Sequence, residues 1–348
     1  MATTMKDISK KTGLGLATIS KYMNGGNVLP ENKTIIEHAI EELDYSVNEI
    51  ARGLKTRRTK TIGVVVPELD DNFFTQVIKA MEVVLKAQGY AVIINDCQSN
   101  KQIEIESIQF LLHKKVDGIV SFPVSSKGKH LDFAIERNVP VLLVDRLVPR
   151  LQGRVDSISV NNVSVSREAT RFLIGNGHKN IGIIVGAKEI YTSERRLQGY
   201  VESMEEHGLN VNPNFIVRGE YSVEGGFKGF KKLMAKNADI TAVYATNHDT
   251  TLGVLMAANE SNMRIGEDIS LVGFDSVDWA KIIKPSLTIV TQPIGQLGRQ
   301  AAEIMLRRLH AGKDEYARQE LVLSARLSIG NSVKNIAPPQ RTPSTFAR

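Results

Sequence analysis

Over the first 46 residues the apolar positions recur at helical spacing, and no strand-like run interrupts them. Met5, Ile8 and Thr12 share one face of a first short helix. Thr18, Ile19, Tyr22 and Met23 belong to a second, over Leu16–Asn24, and Ile36, Ala39, Ile40 and Leu43 to a third. Gly13-Leu14-Gly15 supplies a tight turn between the first two, and Gly25-Gly26-Asn27 ends the second. A pair of short helices joined by a glycine-bearing turn, with a third behind it, predicts a small all-α helix-turn-helix head.

From residue 61 the rhythm changes to short β-branched runs alternating with amphipathic helical stretches. Strands are expected at Ile62–Val66, Ala91–Asn95, Asp117–Ser121, Val141–Asp145, Ile181–Val185, Ala242–Ala245 and Ser270–Phe274. Helices fall between them, for example at Thr75–Gln88 and Glu194–His207. Such alternation means parallel sheet covered by helices on both faces. The stretch is too long for one sheet of ordinary size, so it predicts an α/β core of two Rossmann-like lobes. Ligand would then lie between them, at the carboxyl ends of the strands. The tail from Asn335 to Arg348 holds Pro338, Pro339 and Pro343 without apolar periodicity and reads as disordered.

Composition changes this picture in one place. The 348 residues carry a formal charge of +6. Arg52, Lys55, Arg57, Arg58 and Lys60 lie in one acid-free stretch, residues 50–60, which reads as a footprint for a polyanion. A single cysteine, Cys97, precludes an internal disulfide and fits a reducing cytoplasm. No apolar run reaches membrane-spanning length, and no secretory signal opens the chain. No GxGxxG follows a strand, and GxxxxGK[ST], HExxH and GxSxG are absent. Neither an enzyme, nor a metal site, nor a bound cofactor is expected.

In a helix-turn-helix the second helix enters the major groove. Here Leu16, Ala17, Ser20 and Lys21 are its groove-facing candidates, with Thr18 and Asn24 suited to phosphate. Two stretches carry a specific resemblance. Lys6-Asp7-Ile8-Ser9-Lys10-Lys11-Thr12-Gly13-Leu14 and Ala17-Thr18-Ile19-Ser20-Lys21-Tyr22-Met23-Asn24-Gly25 closely resemble the opening of LacI/GalR-family transcriptional regulators. The similarity continues through Glu42-Leu43-Asp44-Tyr45, Ala51-Arg52-Gly53-Leu54, Phe73-Phe74, Val116-Asp117-Gly118-Ile119, Gly177-His178, Gly273-Phe274-Asp275, Pro285-Ser286-Leu287-Thr288, Gln292-Pro293 and Leu297-Gly298-Arg299.

The resemblance implies a DNA-binding head at 1–46, a hinge helix and linker at 47–60, a periplasmic-binding-protein-like core at 61–334 and a tail at 335–348. It places Tyr45, Leu54 and Lys55 at the DNA. Leu54 would be a wedge between base pairs in the minor groove. Some positions depart from the family: Gly15 and Leu29 stand where capping serines are usual, Asn32 for a threonine and Val47 for a proline. In the core the resemblance implies that Phe74, Asp145, Arg196, Asn247, Asp275 and Gln292 hold a sugar-like effector. Ile190, where a purine binder would carry arginine, argues against a purine. Trp279 and Tyr221 are possible stacking surfaces, and His248 is compatible with a phosphate. The expected protein is a cytoplasmic homodimeric repressor of operator DNA, controlled by a sugar or sugar phosphate. The alternatives are an activator or a sugar-binding protein with no DNA function.

Overall fold

A computed structural model describes residues 3–23, 25–45, 58–237, 239–275, 277–311 and 317–338, with 277–279 by backbone alone. The chain divides into two compact units, Met1–Thr59 and Lys60–Arg348.

The first unit holds α1 (Met5–Thr12), α2 (Leu16–Met23) and α3 (Pro30–Glu42). At its entry, the Thr4 amide donates to Asp7 Oδ2 at 2.8 Å, which places a carboxylate at the positive end of α1. Gly13 stops α1 at φ 72°, a left-handed conformation costly to a residue with a Cβ. Ser9 Oγ then donates to Leu14 O at 2.7 Å, which fixes the turn into α2. Ile8, Ile19, Ile36 and Ala39 form the buried centre, ringed by Met5, Leu14, Tyr22, Met23, Ile40, Leu43 and Tyr45. The missing caps have the expected consequence: α3 opens at Pro30 with no side-chain hydrogen bond from Leu29. Tyr22 Oη donates to Glu37 Oε1 at 2.8 Å, joining α2 to α3 from outside the core.

The second unit contains two six-stranded sheets. Lobe 1 combines β1 (Thr61–Val66), β2 (Ala91–Asp96), β3 (Gly118–Ser121), β4 (Val141–Val144), β5 (Asp156–Val160) and β11 (Glu320–Leu323) in the order β11-β5-β4-β3-β1-β2. Lobe 2 combines β6 (Ile181–Val185), β7 (Ile216–Arg218), β8 (Ala242–Ala245), β9 (Ser270–Phe274), β10 (Thr288–Thr291) and β12 (Arg326–Ser328) in the order β12-β10-β9-β8-β6-β7. All pairs are parallel except β10 with β12. The same order in both lobes makes β4 and β9 structural counterparts.

Helices α4 (Asn72–Ala87) and α12 (Ile294–His310) pack on one face of lobe 1, and α5 (Lys101–His113) and α6 (Asp132–Glu136) on the other. In lobe 2, α7 (Asn162–Gly175) pairs with α8 (Tyr191–Glu206), and α9 (Val223–Lys236) with α10 (His248–Glu260); the short α11 (Val277–Ile282) follows β9. Burial on both faces explains why β1, β3, β4, β6, β8 and β9 read as unbroken apolar runs. Gly298 lets α12 approach α4 closely, since a Cβ there would meet Val77 O at 2.3 Å.

The chain passes between lobes three times, at residues 160–162, 291–294 and 323–326. Asn161 ties the first passage to the third: its amide donates to Leu323 O at 3.0 Å, and its Oδ1 accepts Ala325 N–H at 2.7 Å.

Two expectations need correction. Lys60, counted with the basic segment, belongs to the core: its ammonium lies 4.2 Å from the Tyr90 ring centroid and its amide donates to Asp117 Oδ2. The tail read as disordered from Asn335 is attached at its start, where Ile336 N–H donates to Asn176 O at 2.8 Å. His178, buried, holds the preceding residue through Lys334 O at 3.0 Å. Residues 339–348 lie outside the described residues, as do 46–57 of the hinge.

Candidate functional site

The six core residues singled out from the sequence converge. Phe74, Asp145, Arg196, Asn247, Asp275 and Gln292 all line one cleft between the lobes, together with Asp71, Phe73, Arg146, Thr192, Tyr221 and His248. Each comes from a strand end, a helix start or a passage between lobes, as the doubly wound topology requires.

Lobe 2 contributes an ordered polar group. Arg196, 3% exposed, donates from Nε to Asn162 Oδ1 at 2.8 Å and from Nη1 to Thr246 O at 2.5 Å. Its guanidinium lies 3.8 Å from the Phe274 ring centroid, a cation–π contact in a dry setting. Asp275 follows β9 at φ 66° and accepts Gln292 Nε2 at 2.6 Å. Burial pushes its carboxyl up to about 7, against the pull of Arg196 and the Gln292 hydrogen bond. Asn247 caps α10, its Oδ1 accepting Thr250 N–H at 3.0 Å, while Nδ2 donates to Tyr221 O at 3.2 Å. It therefore positions the Tyr221 segment as well as lining the cleft. Gly186 makes room for Tyr221: a Cβ there would lie 2.7 Å from the ring.

Lobe 1 contributes apolar rings and less satisfied charge. Asp71 caps α4, its Oδ1 accepting Phe73 N–H at 2.8 Å. Phe73 and Phe74 stand edge to face at 5.3 Å. Asp145 follows β4 at φ 63°, the same left-handed geometry as Asp275. Non-glycine residues held in that region cluster at binding sites. Burial raises the Asp145 carboxyl while Arg196 and Arg146 favour its ionised form. The nearest cation, Arg146 Nε, stands 3.9 Å from Asp145 Oδ2, beyond hydrogen-bond range.

Among the described residues, several buried atoms in this cleft have no hydrogen-bond partner. Acceptors are Asp145 Oδ1, Asp275 Oδ1 and Gln292 Oε1; donors are Arg146 Nε and Nη1 and the Tyr221 hydroxyl. Leaving such groups unpaired is costly, so the arrangement favours a ligand offering both donors and acceptors. The lobes leave about 30 Å³ between them, room for a water or two, so anything the size of a sugar enters as they part.

Sequence reading missed Asp71, Phe73, Arg146 and Thr192. Asp71 had a visible signal, a helix cap directly after the first strand, and Arg146 sits beside an already chosen aspartate. The side chain of Trp279 lies outside the described ones. Among the described residues no group of three metal-ligating side chains occurs, and no helix is long and apolar enough to cross a membrane.

In the head, α2 buries Ile19 alone. Leu16 (44% exposed), Ala17 and Lys21 stay on its outer surface, and Thr18 and Ser20 are half-buried at its edges. Tyr45 is half-buried against the head's own core, so it has a packing role beside any contact with DNA. Asn24, Leu54 and Lys55 lie outside the described residues.

Comparison with known proteins identifies the family. Residues 59–325 match the family model described as periplasmic binding proteins and sugar binding domain of LacI family. The HTH-type transcriptional repressor CytR of Escherichia coli is 32% identical over 314 residues, covering 88% of this chain and 90% of that protein. The HTH-type transcriptional repressor PurR of Pasteurella multocida is 30% identical, covering 95% and 99%. Among solved structures, a complex of the transcriptional regulator CelR with cellobiose gives a TM-score of 0.73 at 25% identity, covering 95% of this chain and 99% of that one. The Lac repressor dimer bound to operator gives 0.83 at 23% identity, covering 96% and 100%, and so shares the fold. These relatives are regulators of transcription rather than enzymes. The chain belongs to the LacI family of transcriptional regulators.

Proposed function

We propose that the chain is a repressor whose head grips operator DNA as one half of a homodimer, and whose grip is set by a neutral, hydroxyl-rich small molecule held between the lobes. One observation carries the ligand class: unpaired buried donors and acceptors from both lobes face a single cleft. Hydroxyl groups satisfy both kinds at once, and the Phe73, Phe74 and Tyr221 rings suit the apolar faces of a sugar or nucleoside. A phosphate group brings acceptors only, and would meet Asp71, Asp145 and Asp275. That tilts the reading from a sugar phosphate to a neutral ligand.

For DNA, Leu16, Ala17 and Lys21 are the proposed reading positions on α2, with Thr18 and Asn24 at phosphates and Leu54 and Lys55 in the hinge. The proposed division is a head at 1–46, a hinge at 47–59 and a core from residue 60 through residue 336, working in the cytoplasm. Exposed Val83 on α4 and Ile94 on the edge strand β2 support a second copy covering lobe 1.

The test has two stages. A thermal-shift panel of neutral sugars, nucleosides and their phosphorylated forms identifies the effector; operator binding is then measured with and without it, on a duplex selected from a random pool. A neutral compound should raise Tm and change operator affinity, while a response confined to phosphorylated compounds overturns the ligand class. Lys21→Ala should weaken operator binding and reduce the salt slope by about one. An unchanged slope removes Lys21 from the interface.

A further inference from the structure

The β4-to-β5 connection, residues 145–155, contains only the short turn Pro149–Leu151 and no covering helix. The uncovered sheet face beside it forms a cavity of about 390 Å³, within the range of small-molecule sites and far roomier than the cleft between the lobes. Leu143, Val148, Leu151, Val155, Val160 and Val322 make its apolar wall.

Its polar lining is rich in unused donors. Ser157 and Ser159, two apart on β5, present to the same face. They are only 8% and 3% exposed, line the cavity, and their hydroxyls make no hydrogen bond among the described residues. The first turn of α7 borders the cavity and has no side-chain cap, because the Asn161 carboxamide oxygen is turned to Ala325 N–H. Arg195 of lobe 2, stacked 5.3 Å from the Tyr191 ring centroid, closes the rim. Among the described residues the one carboxylate in the lining, Glu320, is already held by Gln152 Nε2 at 3.1 Å and Gly153 N–H at 3.0 Å. A cationic side chain, the hydroxyls of two buried serines and an uncapped helix start call for a ligand that supplies acceptors.

We infer that this cavity is a second ligand site, for a small organic acid with a compact apolar body. Its carboxylate meets Arg195, the serine hydroxyls and the start of α7, and its body lies on the valine and leucine wall. Occupancy reaches the inter-lobe cleft by a short route. Asn162 lines this cavity and accepts Arg196 Nε at 2.8 Å, and Arg195 and Arg196 are neighbours on α8. Since both lobes line the cavity, an acid bound here changes effector affinity, and the effector changes acid affinity by the same factor. This coupling rests on the proposed effector reading; binding of the acid does not.

The experiment uses the full chain, with benzoate as probe and benzyl alcohol as its neutral match, followed by calorimetry and ligand-observed NMR. Benzoate should bind saturably at millimolar concentration and the alcohol more weakly. Arg195→Gln, an exposed change, should weaken benzoate roughly tenfold, the worth of one charge-assisted hydrogen bond. Ser159→Leu, which fills the cavity, should abolish binding. Asp275→Asn should leave benzoate affinity intact, which separates this site from the effector cleft. Absence of saturable benzoate binding, equal affinity for the alcohol, or unchanged affinity in both cavity variants overturns the assignment.

Discussion

The two lobes share one strand order and both follow their fourth strand with an aspartate of left-handed conformation, yet they equip that aspartate differently. In lobe 2, Asp275 receives Gln292, and Arg196 beside it is anchored by Asn162, Thr246 and the Phe274 ring. In lobe 1, Asp145 feels Arg196 and Arg146 but hydrogen-bonds neither, and Asp145 and Arg146 both keep buried atoms without partners among the described residues. Lobe 2 is thus the more firmly anchored before ligand arrives, while buried atoms on both lobes, Asp145 and Arg146 on one and Asp275 and Tyr221 on the other, are left for the ligand to satisfy. Ligand binding therefore favours closure, because groups on both lobes gain their missing partners only when the cleft shuts on the ligand.

The largest effect should come from the anchor. Arg196→Met leaves Asn162 Oδ1 and Thr246 O without their donor and Asp275 without its neighbouring cation. A loss of about 3 kcal/mol in unfolding free energy is expected, with effector binding abolished. Denaturant titration checks it, and a parental midpoint would break the picture of a preset lobe 2.

Asp275→Asn tests the same lobe through pH. Because burial lifts the folded carboxyl to about 7 from its ordinary 3.8, the folded chain holds this proton more tightly than the unfolded chain. The stability this group contributes is fully present below about pH 4 and is lost as pH rises through about 7. The variant lacks this loss, so its Tm should gain on the parent steadily from about pH 5 to pH 8 while effector affinity falls tenfold or more. A constant Tm gap would show that Asp275 is not the buried acid described here.

How much of this was legible in the sequence depends on burial. The strands with two covered faces, such as Ile181–Val185 and Ser270–Phe274, announced themselves as apolar runs and agree with the structure to the residue. β5 was missed because Ser157 and Ser159 break its apolar pattern, and β11 and β12 because exposed edge strands carry polar residues such as Glu320 and Arg326. The cleft residues were legible through the family resemblance, which named positions in distant motifs that only the fold brings together. What that reading lacked was Arg146 and Asp71, and with Arg146 the unpaired buried donors that lobe 1 brings to the cleft.

Gly186→Ala probes the lobe 2 wall more gently. The added methyl falls 2.7 Å from the Tyr221 ring and forces it toward the cleft. Overpacking of this kind costs about 1–2 kcal/mol, read as roughly tenfold weaker effector binding with operator affinity of the ligand-free protein retained. Unaltered affinity would remove Tyr221 from the ligand's surroundings.

The smallest effect concerns the rim, where the lobes touch outside the cleft. Lys101, at the start of α5, pairs with Glu189 of lobe 2, and Ser126 N–H donates to Glu189 O at 3.2 Å. Both charged side chains are about half exposed, 54% and 47%, so water and salt compete for them. If closure is driven by satisfying the cleft's buried groups, the rim pair only trims the open–closed balance. Lys101→Ala should then weaken effector binding by less than about threefold, an effect of under 1 kcal/mol that vanishes as ionic strength rises. A tenfold loss that persists in high salt would move the closing force from the cleft to its edge, and the cleft's buried groups would no longer explain it.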